Sequence, residues 1–404
     1  MIKQFIETLS QKNKSLKHLY SLIREHGPVS KSELIERTGL KQTTCTRLID
    51  ELIEKQLIVE SGLGESSGGR KPLIYQINPD YYYLFGVDIS RTHTKVLLMD
   101  LNLDIKEEAL FSMNEESTPE VTINFIENEI INMLHTHQLN TSRILGIGIG
   151  AIGPLDRENG KILNPIDFPT KGWNNVPIGK ILSEKFDTKV LLDSGVNTAV
   201  VAEYKKGLDK EVHNIIYCLS GIGIRVGILN DGHLVHGPAD NLGLFGQGHM
   251  VVNIHGRKCV CGSYGCMHAY STIPAIKEEV IHSLKRGHDS VLQEKLNDVG
   301  QVTFSDICWA VQENDALCSH IVKDAAYYTG VGLSNIINIL QPQLVILNGP
   351  IHTQMDLFYE VTKDIALKRT TTIYPGYDVQ FSRGELGENA AAIGAGSMVF
   401  DYYL

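Results

Sequence analysis

Cys259, Cys261 and Cys266 stand as C-x-C-x4-C, and His249 lies ten residues before the first of them. Three thiolates and one imidazole form the closed tetrahedral donor set in which proteins hold structural zinc, with no position left for a reacting water. Gly256, Gly262 and Gly265 let a short backbone wrap an ion without steric cost. The alternative is three reduced thiols in an ordinary loop, one of them redox-active. Three clustered thiols pair badly as disulfides, and knuckle spacings of this kind are specific for metal. The expected site is structural Zn2+ on His249, Cys259, Cys261 and Cys266.

A second group of residues suits nucleic acid. Lys41, Gln42, Thr43, Thr44, Thr46 and Arg47 crowd the start of one helical pattern, and Arg70 and Lys71 lie in a Gly-Arg-Lys-Pro run. Hydroxyls, an amide and cations hydrogen-bond base edges and phosphates. A narrow cationic tip fits a minor groove, where A·T tracts concentrate negative potential. The competing reading is a solvated helix face and a linker.

The elements that would carry these residues favour DNA. Leu16, Leu19, Tyr20 and Ile23 form one helical stripe, closed by His26-Gly27-Pro28. Ser30 with Glu33 makes a capping box for a second helix, KSELIERT, which stops at Thr38-Gly39. A third helix is expected from about Lys41 to Lys55, with Cys45, Leu48, Ile49, Leu52 and Ile53 inward. Leu57–Glu60 and Leu73–Ile77 read as strands around the loop that holds Arg70 and Lys71. Helix, glycine turn, helix and a two-stranded wing describe a winged helix-turn-helix, whose recognition helix enters the major groove.

Charge divides the chain at the same place. Residues 1–80 hold 12 Lys+Arg against 10 Asp+Glu, and the remainder hold 25 against 37, so a head of net +2 sits on a body of net −12. That distribution fits a DNA-contacting module on a larger domain that avoids DNA. The domains expected are 1–80 and 81–404, the latter with the zinc loop at 249–266. No apolar stretch has the length of a membrane span, the first residues lack the apolar core of a signal peptide, and the four cysteines outside the zinc loop, Cys45, Cys218, Cys308 and Cys318, sit in no repeated spacing that would imply a disulfide framework. Together these place the protein in the cytoplasm.

From Tyr83 onward strands alternate with helices, the mark of an α/β domain. Phe85–Ile89 and Lys95–Asp100 read as a hairpin, Val121–His135 as a helix, and Ile144–Ile149, Lys189–Asp193, Asn214–Leu219 and Gln343–Leu347 as core strands. Val322–Leu340 reads as a long helix. A similar progression in two halves suggests a pseudo-duplicated fold, with ligands near the carboxyl ends of the strands.

The winged helix, VDISRT (87–92), GIGIGAIGP (146–154), GIGIRVG (221–227), CVCGSYGC (259–266) and GENAAAIGAG (387–396) together resemble the ROK family of repressors and sugar kinases, in particular its xylose-repressor-like regulators. The resemblance spans nearly the whole chain. It implies two actin-like, ribonuclease-H-like α/β lobes around a sugar cleft, a dimer, and a sugar that changes how the winged helices sit on a double-stranded DNA operator. The alternative within the family is a sugar kinase with an N-terminal extension.

The cleft departs from the kinase pattern. Family kinases carry Glu-Asn-Asp-Ala-Asn where this chain has Asp193-Ser194-Gly195-Val196-Asn197, so the general-base position is Gly195. A base needs a carboxylate or imidazole within hydrogen-bond reach of the proton it removes. In the phosphate turns, Arg91 and Arg225 stand where the family has glycine or another small residue. Gln247 and His268 replace two glutamates of the usual sugar set. The resemblance therefore implies a non-catalytic effector cleft at Gly153, Pro154, Ser194, Asn197, Arg225 and His268. Its ligand would be a sugar or a modified or phosphorylated sugar, unless the cleft binds nothing.

Overall fold

The computed structural model describes residues 2–5, 10–64, 71–165, 168–208, 211–237, 246–295 and 298–404. The chain begins with three helices, α1 (Gln11–His26), α2 (Lys31–Thr38) and α3 (Gln42–Glu54). Ser10 caps α1 by accepting from the Asn13 amide, and Leu16, Leu19, Tyr20 and Ile23 are all buried. Ser30 and Glu33 form the expected reciprocal capping box, so α2 begins and ends where its sequence signals it. Cys45, Leu48, Ile49 and Leu52 turn α3 inward. Strand β1 (Val29–Ser30) pairs with β3 (Leu73–Ile77), which pairs in turn with β2 (Ile58–Leu63), an antiparallel three-stranded wing.

Two five-stranded sheets follow, and they share one topology. The first holds β4 (Tyr83–Ile89), β5 (His93–Met99), β6 (Ile105–Ser112), β7 (Ile144–Ala151) and β10 (Lys189–Ser194), in the order β10-β7-β4-β5-β6. A two-stranded ribbon, β8 (Leu155–Asp156) and β9 (Lys161–Ile162), stands beside it. The second sheet holds β11 (Ile215–Ser220), β12 (Ile224–Asn230), β13 (His233–Leu234), β14 (Leu344–Asn348) and β15 (Gln380–Ser382), in the order β13-β12-β11-β14-β15. In each sheet three antiparallel strands come first, and two strands then add in parallel on the other side of the first strand. The duplicated progression of the sequence is thus a duplicated sheet.

Helices cover the faces. In the first lobe α4 (Pro119–Thr136) and α5 (Ile178–Phe186) bury Ile126, Ile130, Ile178 and Leu182 against Phe85, Val87, Ile147 and Ile149. In the second lobe α6 (Gly195–Ala202) covers one face through Val196 and Val200. Helices α11 (Ala316–Leu340) and α13 (Asp356–Ile373) cover the other through Leu333, Ile337 and Tyr359. Helices α8 (Ile273–Lys285), α9 (Val291–Lys295) and α10 (Phe304–Gln312) pack with α11 and with α12 (Pro350–Gln354) around Val280, Leu292, Ile307, Val322 and Ile351. The short α7 (His268–Ser271) joins the cysteine loop to α8.

The last helix, α14 (Ala390–Tyr403), organises the rest. It lies against β4, β7 and α6 at once. A Cβ on Gly148 would stand 1.7 Å from the Ala395 carbonyl oxygen, so helix backbone rests directly on strand backbone with no side chain between. At its far end Phe400 and Tyr403 enter the same hydrophobic cluster as Leu16, Leu19, Tyr20 and Leu48 of the head. The winged helix is therefore seated on α14 through a continuous apolar core.

Candidate functional site

The cysteine loop has metal geometry. The donor atoms of His249, Cys259, Cys261 and Cys266 all lie within 4.8 Å of one another. Cys261 and Cys266 sulfurs are 3.7 Å apart, and Cys259 sulfur is 3.4 Å from His249 Nδ1. Tetrahedral zinc with bonds of about 2.3 Å to sulfur and about 2.0 Å to nitrogen calls for separations of about 3.8 and 3.5 Å. The fit is close. Burial lowers the His249 pKa, which favours the neutral imidazole that a metal requires. Burial and the adjoining thiols push Cys266 up to about 12, so three thiolates here need a cation.

Local backbone makes the cup. Isolated bridges join Lys258 to Tyr264 and Val251 to Cys266. Gly265 has φ +73°, and a Cβ there would fall 1.7 Å from the Asn253 carbonyl oxygen, so the turn admits only glycine. The Tyr270 hydroxyl accepts from the Arg257 amide at 2.8 Å, and Arg257 reaches Glu279 at 2.6 Å, tying the loop to α8. All four expected ligands come together as a candidate metal site.

The cleft residues fall into place less uniformly. Gly153 and Pro154 meet at a cis peptide at the end of the strand β7 segment. A Cβ on Gly195 would lie 3.4 Å from Asp88 Oδ1. No carboxylate or imidazole is carried at that position. His93 Nε2 is 3.1 Å from the other Asp88 oxygen. Arg225 is buried on β12, and its pKa is lowered to about 10 by burial and by Arg91 nearby, with Asp88 acting in the opposite sense. Arg91 lies over the turn at residues 221–223, 3.4 Å from where a Gly223 Cβ would be. Guanidinium groups thus stand both over this turn and on the strand that leaves it. Ser194 is buried, and its hydroxyl has no hydrogen-bond partner among the described residues. Asn197 donates to Asp193 at 3.0 Å. His268, expected in the cleft, stacks on His249 with ring centroids 5.2 Å apart, against the candidate metal site.

A cavity of about 420 Å³ opens on the flank of α6, against β13 and α14. Of the six cleft residues expected from sequence, Asn197 lines it. Its other polar wall residues include Asp193, Tyr204, Lys205, His236 and Asp401. Arg157 holds Asp193 at 3.1 Å, and His236 stands 3.7 Å from the same carboxylate. Asp401 accepts from Lys205 and, at 2.9 Å, from Arg24 of α1. Burial alone would raise the Asp401 pKa, but the two cations more than offset it and hold the carboxyl below its ordinary value. The Arg24 guanidinium also sits 3.9 Å from the Phe400 ring centroid. Sequence reading missed this set because its members are scattered along the chain.

The expected DNA face is open. Lys41, Gln42, Thr43 and Arg47 are exposed, while Thr44 and Thr46 are half-buried, all at or within the first half of α3. Lys71 is exposed at the base of the wing, and Arg70 lies outside the described residues. Among the described residues, no helix is long and apolar enough to cross a membrane.

The sequence model of the ROK family matches residues 84–401, and one for a winged helix-turn-helix DNA-binding domain matches residues 12–59. The chain is 28% identical over 403 residues to the xylose repressor of Bacillus spizizenii, covering 99% of this chain and 97% of that protein. It is 26% identical over 333 residues to the N-acetylglucosamine repressor of Shigella flexneri, covering 82% and 79%. Among solved structures, a ROK family transcriptional regulator described as a homolog of the E. coli MLC protein superposes with a TM-score of 0.80 at 22% identity, over 97% of this chain and 96% of that one. A ROK family glucokinase from Streptomyces griseus, solved with glucose and AMPPNP, gives 0.64 at 20% identity, over 78% and 98%. Both structural likenesses bear on the fold.

Proposed function

Because the chain belongs to the ROK family, we propose that it is a DNA-binding transcriptional regulator of carbohydrate-related genes, a repressor that acts as a homodimer in the cytoplasm. The observation that carries this reading is the winged helix-turn-helix itself, with the polar start of α3 exposed. The near-full-length curated relatives named as repressors support it. Two heads on a two-fold axis read a palindromic operator whose half-sites lie about 10 bp, or a multiple, apart. Lys41, Gln42, Thr43, Thr44, Thr46 and Arg47 meet the major groove, and Arg70 and Lys71 enter the flanking minor groove.

In this reading the body is a sensor and performs no catalysis. Gly195 offers no acceptor for a sugar hydroxyl proton, and Arg91 over the turn at residues 221–223 and Arg225 on β12 beside it occupy space where a nucleoside triphosphate would need close backbone approach. The cleft around Gly153, Pro154, Ser194, Asn197, Arg225 and His268 takes a sugar or sugar derivative. Zinc on His249, Cys259, Cys261 and Cys266 braces the loop that leads into α7, which begins at His268. A gel shift of the full-length protein on its own upstream region tests the reading, with Arg47→Ala as the comparison. Loss of one base-edge contact costs ~1–3 kcal/mol, so Arg47→Ala should bind roughly 5- to 150-fold more weakly. Unchanged binding by that variant would remove α3 from the interface.

A further inference from the structure

The four donors of the cysteine loop are unequally sheltered. Cys259 and Cys266 are buried and His249 is half-buried, whereas Cys261 is the one cysteine exposed to solvent among the described residues. Its sulfur lies 3.7 Å from that of Cys266. Resting on the Cys3His reading above, we propose that this pair is an oxidation site: a hydroperoxide oxidises Cys261, Cys266 closes on it as a disulfide, and the metal site comes apart.

Such chemistry needs a thiolate that an oxidant can reach and a second thiolate beside it. A sulfur that coordinates a cation is deprotonated at neutral pH, and the thiolate is the nucleophilic form of cysteine. The Cys261 sulfur attacks the outer oxygen of the hydroperoxide. An S–O bond forms, the O–O bond breaks, and the departing oxyanion takes a proton from water. The Cys266 thiolate then attacks the sulfenic sulfur, the S–S bond forms, and hydroxide leaves and is protonated in turn. The two sulfurs have together given up two electrons, and hydrogen peroxide, the simplest such oxidant, has become two waters. A disulfide offers neither thiolate to the ion. Cys259 and His249 are then the donors left, too few for the four-coordinate set that structural zinc takes.

Local backbone makes Cys266 the partner. Gly262 follows Cys261 at φ +88° with open space where a Cβ would stand, so Cys261 has room to swing. Cys259 lies one residue from Cys261, where a disulfide would close a much smaller ring, and its sulfur faces His249 Nδ1 at 3.4 Å. Cys45, Cys218, Cys308 and Cys318 are buried. Burial pushes Cys308 up to about 11 and Cys318 up to about 12, so both stay thiols. The consequence reaches past the loop. Val251 is bridged to Cys266, α7 starts at His268, and the His268 ring stacks on His249. Loss of the ion therefore loosens the start of α7 together with the loop.

The test treats the full-length, zinc-loaded protein with hydrogen peroxide. Zinc released to a chromogenic chelator, remaining thiols and cysteine pairs identified by peptide mass mapping are followed together. About one zinc per chain should be released as two of the seven thiols disappear, with Cys261–Cys266 as the disulfide. Dithiothreitol with added zinc should restore both. Deuterium uptake across residues 249–271 should rise on oxidation and fall on recovery. Cys261→His keeps four donors, as Cys2His2, and should release zinc roughly ten-fold more slowly or less readily still. Should that variant fail to hold zinc, mass mapping of the wild type still decides. Zinc that stays bound while thiols are lost overturns the inference. So does a disulfide at any other pair, or a Cys261 sulfinic acid formed without a disulfide. A purified protein that carries no zinc would overturn the Cys3His reading itself, and this inference with it.

Discussion

At the scale of single residues, the chemistry of this chain splits into what is local and what is not. The candidate metal ligands were legible because they fall within eighteen positions, from His249 to Cys266, and their types admit few other uses. Cys261→Ser should abolish the roughly one equivalent of zinc expected per chain and lower the Tm, because a structural site couples metal binding to folding. Retention of full zinc by that variant would contradict the Cys3His assignment. The Arg24–Asp401 pair was illegible for the opposite reason, since 377 positions separate its members and neither sits in a motif. His352 was equally silent in sequence. It is a fully buried residue of α12, with Nε2 3.2 Å from Ser220 Oγ, and burial lowers its pKa to about 3 from 6.5. The unfolded chain therefore takes up a proton below pH 6.5 that the native state refuses until near pH 3. Stability contributed by neutral His352 is present above pH 6.5 and lost as pH falls. Urea unfolding between pH 7 and pH 4 should show a shallower decline for His352→Gln than for the wild type. Parallel curves would remove His352 from the acid response.

At the scale of elements, legibility followed how cleanly a segment's pattern matched its burial. Helix α2 matched its expected limits because both caps were written in the chain, Ser30 with Glu33 at one end and Gly39 at the other. Strand β6 was not expected, because Lys106, Glu107 and Glu108 obscure the alternation of an edge strand that keeps one side in water. Helix α14 was legible as a motif and not as a helix. Its run of alanines and glycines has little amphipathic pattern, because it is enclosed by β4, β7 and α6. The motif's small residues are explained by that enclosure. Gly148→Ala should force α14 off β7, since its Cβ has no space beside the Ala395 carbonyl. Overpacking of this kind costs ~1–3 kcal/mol or more, read as a lowered urea midpoint. Because α14 also carries Phe400 and Asp401, the same variant should increase deuterium exchange in α1. An unchanged midpoint would show that helix and strand are not in direct contact.

At the scale of the whole molecule, the charge division at residue 80 anticipated two functions, and the structure adds how they are joined. The sequence pattern implied a head and a body, but not that the head's core would continue into the last helix of the body. Hydrophobic patterning shows that a face is buried and does not show against what. The cleft shows the same limit: sequence could identify which kinase positions had changed, whereas the cavity beside α6 arises from three distant segments. A scaffold shared with sugar kinases is thus read as a sensor that steers DNA-binding heads. The measurement that tests this claim most directly is fluorescence anisotropy of the full-length protein on a duplex from its own upstream region and on a scrambled duplex of equal length, at one salt concentration. Regulators of this kind discriminate by about 10³-fold or more, and that margin is expected here. Equal affinity for the two duplexes, or no binding to either, would contradict the account.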